Sequence, residues 1–215
     1  MTDDELRCCG SILVVASGYT HSPTSSYNLG DRAQLTCTAE RLKAAFPESR
    51  LIAIANSLND QVASDDLEIS YSAIRYLTSP ITIPVIRGRL PTRVGQAARS
   101  FILLVNARRI ARSKAPRLLS AIGRSAIQEM FESCALFISG AGTFNDLYVS
   151  SVGGVWAVYI RCMSSLGKPV AASGQQIGPL RRPSRRAVAK WALRYVGLLG
   201  VRDPISLRSA LALGI

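Results

Sequence analysis

Histidine, aromatic side chains and long apolar runs are all scarce in this sequence. His21 is the only histidine in 215 residues, so a His-dependent zinc site or a Ser-His-Asp triad would have to use it. No CxxC or HxxxH spacing occurs, and the five cysteines (Cys8, Cys9, Cys37, Cys134 and Cys162) fall at irregular intervals. They read as small buried apolar residues in a reducing compartment, rather than as metal ligands or disulfides. No apolar run approaches the roughly 18–20 residues of a membrane-spanning helix. The N-terminus, MTDDELRCCG, has no basic region ahead of an apolar stretch, so a secretory signal is not expected and the expected location is the cytoplasm.

Acidic residues are also few, and unevenly spread. Against 14 Asp and Glu stand 26 Lys and Arg, a formal net charge of +12. None lies between Glu68 and Glu129, or between Asp146 and Asp203. Such a surface suits nucleic acid, an anionic membrane face or phosphorylated small molecules, and a plain solvated basic surface remains the alternative. Aromatics are sparse among the arginines and no helix-turn-helix, RRM or zinc-finger pattern occurs, so no specific nucleic-acid partner is expected. From Arg87 to Arg124, Val94, Ala98, Phe101, Ile102, Val105 and Ile110 interleave with the arginines. That mixture points to contact with anionic lipid. The competing reading turns the same apolar residues toward a sheet.

The 48% hydrophobic content excludes a disordered chain, and no repeat or linker divides it. Short β-branched runs alternate with helical patterns. Strands are expected at Ile12–Ala16, Leu51–Ala55, Ile81–Ile86, Ala135–Ser139, Pro169–Ala172 and Leu198–Val201, with Pro84 pushing the third toward an edge. Helices are expected at Asp31–Phe46, 92–113, 116–133, 147–166, 183–196 and Ser206–Leu213. This alternation predicts one α/β domain, a Rossmann-like doubly wound, mostly parallel sheet with helices on both faces. Ligands of such sheets sit beyond the carboxyl ends of the strands.

Four motifs fall in those loops. Asn28-Leu29-Gly30-Asp31 opens the first helix, where Asp31 could cap the helix or hold a substrate hydroxyl. Ser139-Gly140-Ala141-Gly142-Thr143-Phe144-Asn145-Asp146 carries a glycine pair whose N–H groups could meet an anion or sugar. Ser173-Gly174-Gln175-Gln176-Ile177-Gly178-Pro179 sets two glutamines between glycines, suited to a polyhydroxylated ligand or to simple turn chemistry. In Arg202-Asp203-Pro204-Ile205-Ser206, Asp203 or Ser206 could cap a helix, and Arg202 could grip phosphate or carboxylate.

In order, these motifs resemble the polysaccharide pyruvyl transferase family. That family has an N-x-G-D turn (here Asn28, Gly30, Asp31) and a glycine-pair loop ending in aspartate (Gly140, Gly142, Asp146). It also has G-K-P leading into G-Q-x-I-G-P (Gly167 to Pro169, then Gly174, Gln175, Ile177, Gly178, Pro179), and R-D-x-x-S (Arg202, Asp203, Ser206) ending in Leu213-Gly214. The resemblance implies a glycosyltransferase-B-like enzyme that transfers pyruvate from phosphoenolpyruvate to two hydroxyls of one sugar as a ketal. Its implied setting is bacterial exopolysaccharide or cell-wall polymer biosynthesis, in the cytoplasm or at the inner face of the plasma membrane.

The resemblance further implies a glycan or lipid-linked sugar acceptor and no cofactor beyond phosphoenolpyruvate as co-substrate. A homo-oligomer is compatible with it. Residues 1–215 would be a single domain resembling the family's N-terminal half, without its C-terminal donor-binding domain and its histidine, which His21 does not match. The isolated chain is then expected to be inactive. Asp31 is the candidate for acceptor binding or general base, and Arg202 for the donor's carboxylate or phosphate. Asn28, Gly30, Gly140, Gly142, Asp146, Gln175, Gln176, Gly178, Asp203 and Ser206 are the candidates for substrate binding. Two alternatives stay open: a sugar-nucleotide glycosyltransferase-like domain, and a non-catalytic basic module binding membrane or nucleic acid.

Overall fold

A computed structural model of the chain describes residues 10–15, 29–54, 67–70, 77, 82–83, 88–89, 92–140, 142–146 and 152–215. The strands are β1 (Ser11–Val15), β2 (Arg50–Ile54), β3 (Leu67–Ser70), β4 (Thr82–Ile83), β5 (Gly88–Arg89), β6 (Ser133–Ile138), β7 (Val170–Gln175) and β8 (Leu198–Val201). The helices, numbered here in chain order, are α1 (Leu29–Ala45), α2 (Thr92–Ile110), α3 (Ala121–Glu132), α4 (Val152–Ser165), α5 (Pro183–Leu193) and α6 (Pro204–Ala212).

Six strands form one sheet in the order β3-β2-β1-β6-β7-β8, and every neighbouring pair is parallel. The chain therefore winds outward from β1 in one direction and from β6 in the other, and the order reverses between them. This is the doubly wound architecture expected from the alternation of elements. β1 is central and apolar after Ser11, so its alternating side chains feed two cores. Ile12 and Val14 join Leu35 and Ala39 of α1 with Leu51 and Ala53 of β2. Leu13 and Val15 join Leu103 and Ala107 of α2, Met130 of α3 and Trp156 and Tyr159 of α4 on the other face.

Several expectations need correction. Of Ile81–Ile86, the described residues Thr82–Ile83 lie outside the main sheet and pair antiparallel with Gly88–Arg89. The edge strand β3 was not expected, because LEIS is short and half polar. α3 starts at Ala121 instead of 116, since Pro116 lies in an irregular stretch and the Ser120 hydroxyl caps the helix by accepting from Gly123 N–H. The cysteines differ as well. Cys162 is buried, but Cys37 is exposed and Cys134 is disulfide-bonded. The apolar residues of α2 divide: Ile102 and Ile110 pack on the core, whereas Val94 and Phe101 face solvent. Among the described residues, no helix is long and apolar enough to cross a membrane.

Candidate functional site

The loops after β6, β7 and β8 are tied into one crest along the carboxyl edge of the sheet. Gly178 N–H donates to Phe144 O at 2.8 Å and Asp146 N–H to Pro179 O at 2.9 Å, joining the first loop to the second. Arg202 N–H donates to Gln175 O at 3.2 Å, and Ile177 N–H to the Ser206 hydroxyl at 3.1 Å, joining the second to the third. The buried Ser206 hydroxyl in turn donates to Asp203 Oδ2 at 3.0 Å, so it relays between β7 and α6.

At the strand-order reversal the first loop meets α1. Ser139 N–H donates to Val15 O at 2.8 Å, and its hydroxyl lies 2.8 Å from Thr38 Oγ1 and donates to Gln34 O at 3.3 Å. Gly140 follows where there is no room for a side chain: a Cβ would stand 2.9 Å from Gln34 Oε1 and 3.1 Å from Gly174 O. Gly174 itself sits at φ +65°, a conformation other residues rarely take. Two backbones thus approach each other at the position where open α/β sheets bind ligands.

The candidate residues divide into those turned inward and those left facing the crest. Asp31 and Gly30 lie in the first turn of α1, which starts at Leu29, so Asp31 is inside the helix instead of capping it. Asn28 lies outside the described residues. Gln175 is fully buried, with its amide donating to Ile138 O at 3.2 Å and Ser173 O at 3.0 Å, and it cross-links β6 to β7. Its Oε1, like Thr143 Oγ1, is buried without a partner. Gln176 is half-buried, and its Oε1 stands 2.9 Å from where a Gly142 Cβ would be. Gly178, at φ +86°, packs against the Ser209 hydroxyl.

Asp146 is committed to the start of α5. Its Oδ2 accepts Arg181 N–H at 2.9 Å, Oδ1 lies 3.4 Å from the Arg185 guanidinium, and its carbonyl also accepts from Arg185. The Arg181 N–H bond first, and then Arg185, hold its carboxyl below the usual aspartate range. Asp203 caps α6, accepting Ser206 N–H on Oδ1 at 2.7 Å. That bond, the Ser206 hydroxyl and Arg202 likewise keep its carboxyl ionised to lower pH. Arg202 gives only Nε to Asp203, at 3.3 Å, and half of its side chain is exposed. Its two terminal nitrogens bond to no described residue, which leaves a cationic fork at the crest able to take a planar or tetrahedral anion.

Gln34 and Thr38 were not singled out from sequence. They occupy the α1 face that meets Ser139, and only the three-dimensional pairing of α1 with that loop reveals them. A cavity of about 580 Å³ lies at the opposite, amino-terminal end of the strands, beside Ser11, Arg50, Glu68, Gln128 and Glu132. It shares no residue with the crest. Among the described residues no group of three or more His, Cys, Asp or Glu could hold a metal.

A family model described as polysaccharide pyruvyl transferase matches residues 28–215. No curated protein and no solved structure matches the chain.

Proposed function

Since the chain belongs to the polysaccharide pyruvyl transferase family, we propose that it takes part in moving pyruvate from phosphoenolpyruvate onto a glycan or lipid-linked sugar of an exopolysaccharide or cell-wall polymer. In the reaction, enol C3 gains a proton and C2 becomes electrophilic. Two hydroxyls of one sugar bond to C2, and the C2–O bond to phosphate breaks. Of the two hydroxyl protons, one balances the C3 methyl and the other leaves with phosphate.

Asp31, in the first turn of α1, takes the proton of an attacking hydroxyl in this reading. Arg202 binds the donor's carboxylate or phosphate through its outward fork. Gln176 and the Gly140–Gly142 loop position sugar hydroxyls, while Asp146, Gln175, Asp203 and Ser206 hold the loops that carry them. Donor binding tests the Arg202 assignment directly, because it reads the outward guanidinium without requiring turnover.

The observation that carries this reading is the family match, which spans all four sequence motifs. Thermal unfolding with and without ligand tests it. Phosphoenolpyruvate should raise the melting temperature of the wild-type chain and not that of Arg202→Ala. Protection by a nucleotide sugar, with none by phosphoenolpyruvate, would transfer the reading to a sugar-nucleotide glycosyltransferase.

A further inference from the structure

The connection between α2 and α3 plays no part in the crest, yet it is a built feature. Residues 111–118 are all exposed, and they include Arg112, Lys114 and Arg117. No acidic residue occurs from 92 to 128. Three side chains brace the segment. The buried Asn106 amide donates to Ile102 O at 2.8 Å and Arg117 O at 2.9 Å, and its Oδ1 accepts Arg117 N–H at 2.6 Å. Arg109 Nε donates to Ala115 O at 3.0 Å, and the Arg124 guanidinium to Leu119 O at 3.1 Å.

This bracing has an unusual product. With Arg117 clamped, Leu119 turns into the core at 8% exposure and Leu118 turns out at 88%. Leu118 is held there at φ +57°, in the left-handed region that a leucine rarely occupies. A lone exposed leucine needs no explanation, but this one stands on a braced cationic apex, with half-exposed Ile122 four residues further on. The later residues of α3, Gln128 and Glu132, line the cavity at the strand starts. The α2–α3 connection therefore lies toward the opposite end of the sheet, the end that carries the crest.

We propose that the 111–118 loop docks the protein on an anionic lipid surface, with Leu118 entering the acyl boundary and Arg112, Lys114 and Arg117 on headgroup phosphates. Charge complementarity selects an anionic surface. The apolar tip selects lipid over nucleic acid, since residues 102–130 contain no aromatic side chain on which a base could stack. This inference is independent of the pyruvyl-transfer reading.

Co-sedimentation of the whole chain with vesicles tests it, comparing phosphatidylcholine alone with phosphatidylcholine mixed with phosphatidylglycerol. Binding should occur only to the anionic vesicles and weaken with salt. Arg112→Gln, Lys114→Gln and Arg117→Gln together should lower affinity by about a hundredfold. Leu118→Gly, which suits the positive φ and so spares the fold, should lower it by roughly tenfold. An unchanged melting temperature in both variants identifies the loss as one of binding. Absence of binding to anionic vesicles, or binding that neither variant alters, overturns the proposal. Duplex DNA binding that the arginine variants abolish, with vesicles ignored, would assign the loop to nucleic acid instead.

Discussion

Gly140 and Gln34 meet so closely that a methyl group on the glycine would stand 2.9 Å from the glutamine Oε1. The flexible amide could swing aside, but the Gly174 carbonyl, 3.1 Å from the same point, is backbone and cannot. Gly140→Ala should therefore force the β6 and β7 loops apart, at about 1–3 kcal/mol as for other overpacked sites. Gln34→Ala relieves only half of the conflict and should rescue the Gly140→Ala variant partially. Thermal melts of the two single variants and the double variant measure this coupling.

That contact also shows where the sequence stops being informative. Gly140 was marked as functional by its place after a buried strand, and Ala135–Ser139 was within two residues of the observed β6 because ALFI is apolar and β-prone. Gln34 carried no such signal, since its importance lies in a neighbour 106 positions away. The same holds for Asn106: a lone amide inside a helical pattern does not reveal that it clamps a distant turn. β3 was missed because its four residues owe their extension to pairing with β2, not to their own hydrophobic pattern. The two glutamines looked equivalent in sequence. Only the register of β7 turns Gln175 into the sheet and leaves Gln176 at its edge.

The thiols offer a direct check of the fold. Cys37 is exposed on α1, whereas Cys162 is buried on α4 and burial pushes its thiol up to about 12. A thiolate-selective reagent at pH 8 should label Cys37 in minutes and leave Cys162 unmodified until denaturant is added. Mass mapping distinguishes them. Equal native labelling of the two would contradict the packing of α4.

Acid stability should depend on Asp146. Its folded carboxyl is held below the ordinary value of 3.8, first by Arg181 N–H and then by Arg185. A depressed folded value contributes stability above the unfolded value, and that contribution is lost as pH falls through the lower one. Melting temperature should therefore decline from about pH 5 downward, and Asp146→Asn should show a shallower decline from a lower starting point. Because the ion pair is partly solvated, added salt should narrow the gap between wild type and variant.

Asp31 separates catalysis from stability. It lies in the first turn of α1, where a carboxylate is in general favoured by about 0.3–1 kcal/mol. Asp31→Asn should lower the melting temperature only slightly. As the base for an attacking hydroxyl, it should nevertheless cost about 10²–10⁴ in transfer rate in the active enzyme. Phosphate release from phosphoenolpyruvate in the presence of glycan acceptors reads the rate. Activity near wild type would return Asp31 to a structural role.

Arg202 and Asp203 form the pair on which the donor assignment rests, and two substitutions divide their roles. Arg202→Lys keeps the charge but loses the planar fork, so a bidentate contact with carboxylate or phosphate cannot be reproduced. Phosphoenolpyruvate affinity should fall by roughly tenfold or more, while the melting temperature stays unchanged, since the Arg202 side chain is half solvent-exposed. Asp203→Asn retains an N-cap acceptor for Ser206 N–H, as asparagine caps helices about as well as aspartate. It removes the carboxylate that holds Arg202 Nε, so the guanidinium loses its fixed orientation and donor affinity should drop with α6 intact. Asp203→Ala should lower both affinity and melting temperature, because the cap is lost as well. Isothermal titration with phosphoenolpyruvate, set beside thermal melts of the three variants, reads the two effects separately. Wild-type affinity in Arg202→Lys would leave Arg202 as no more than the partner of the capping aspartate.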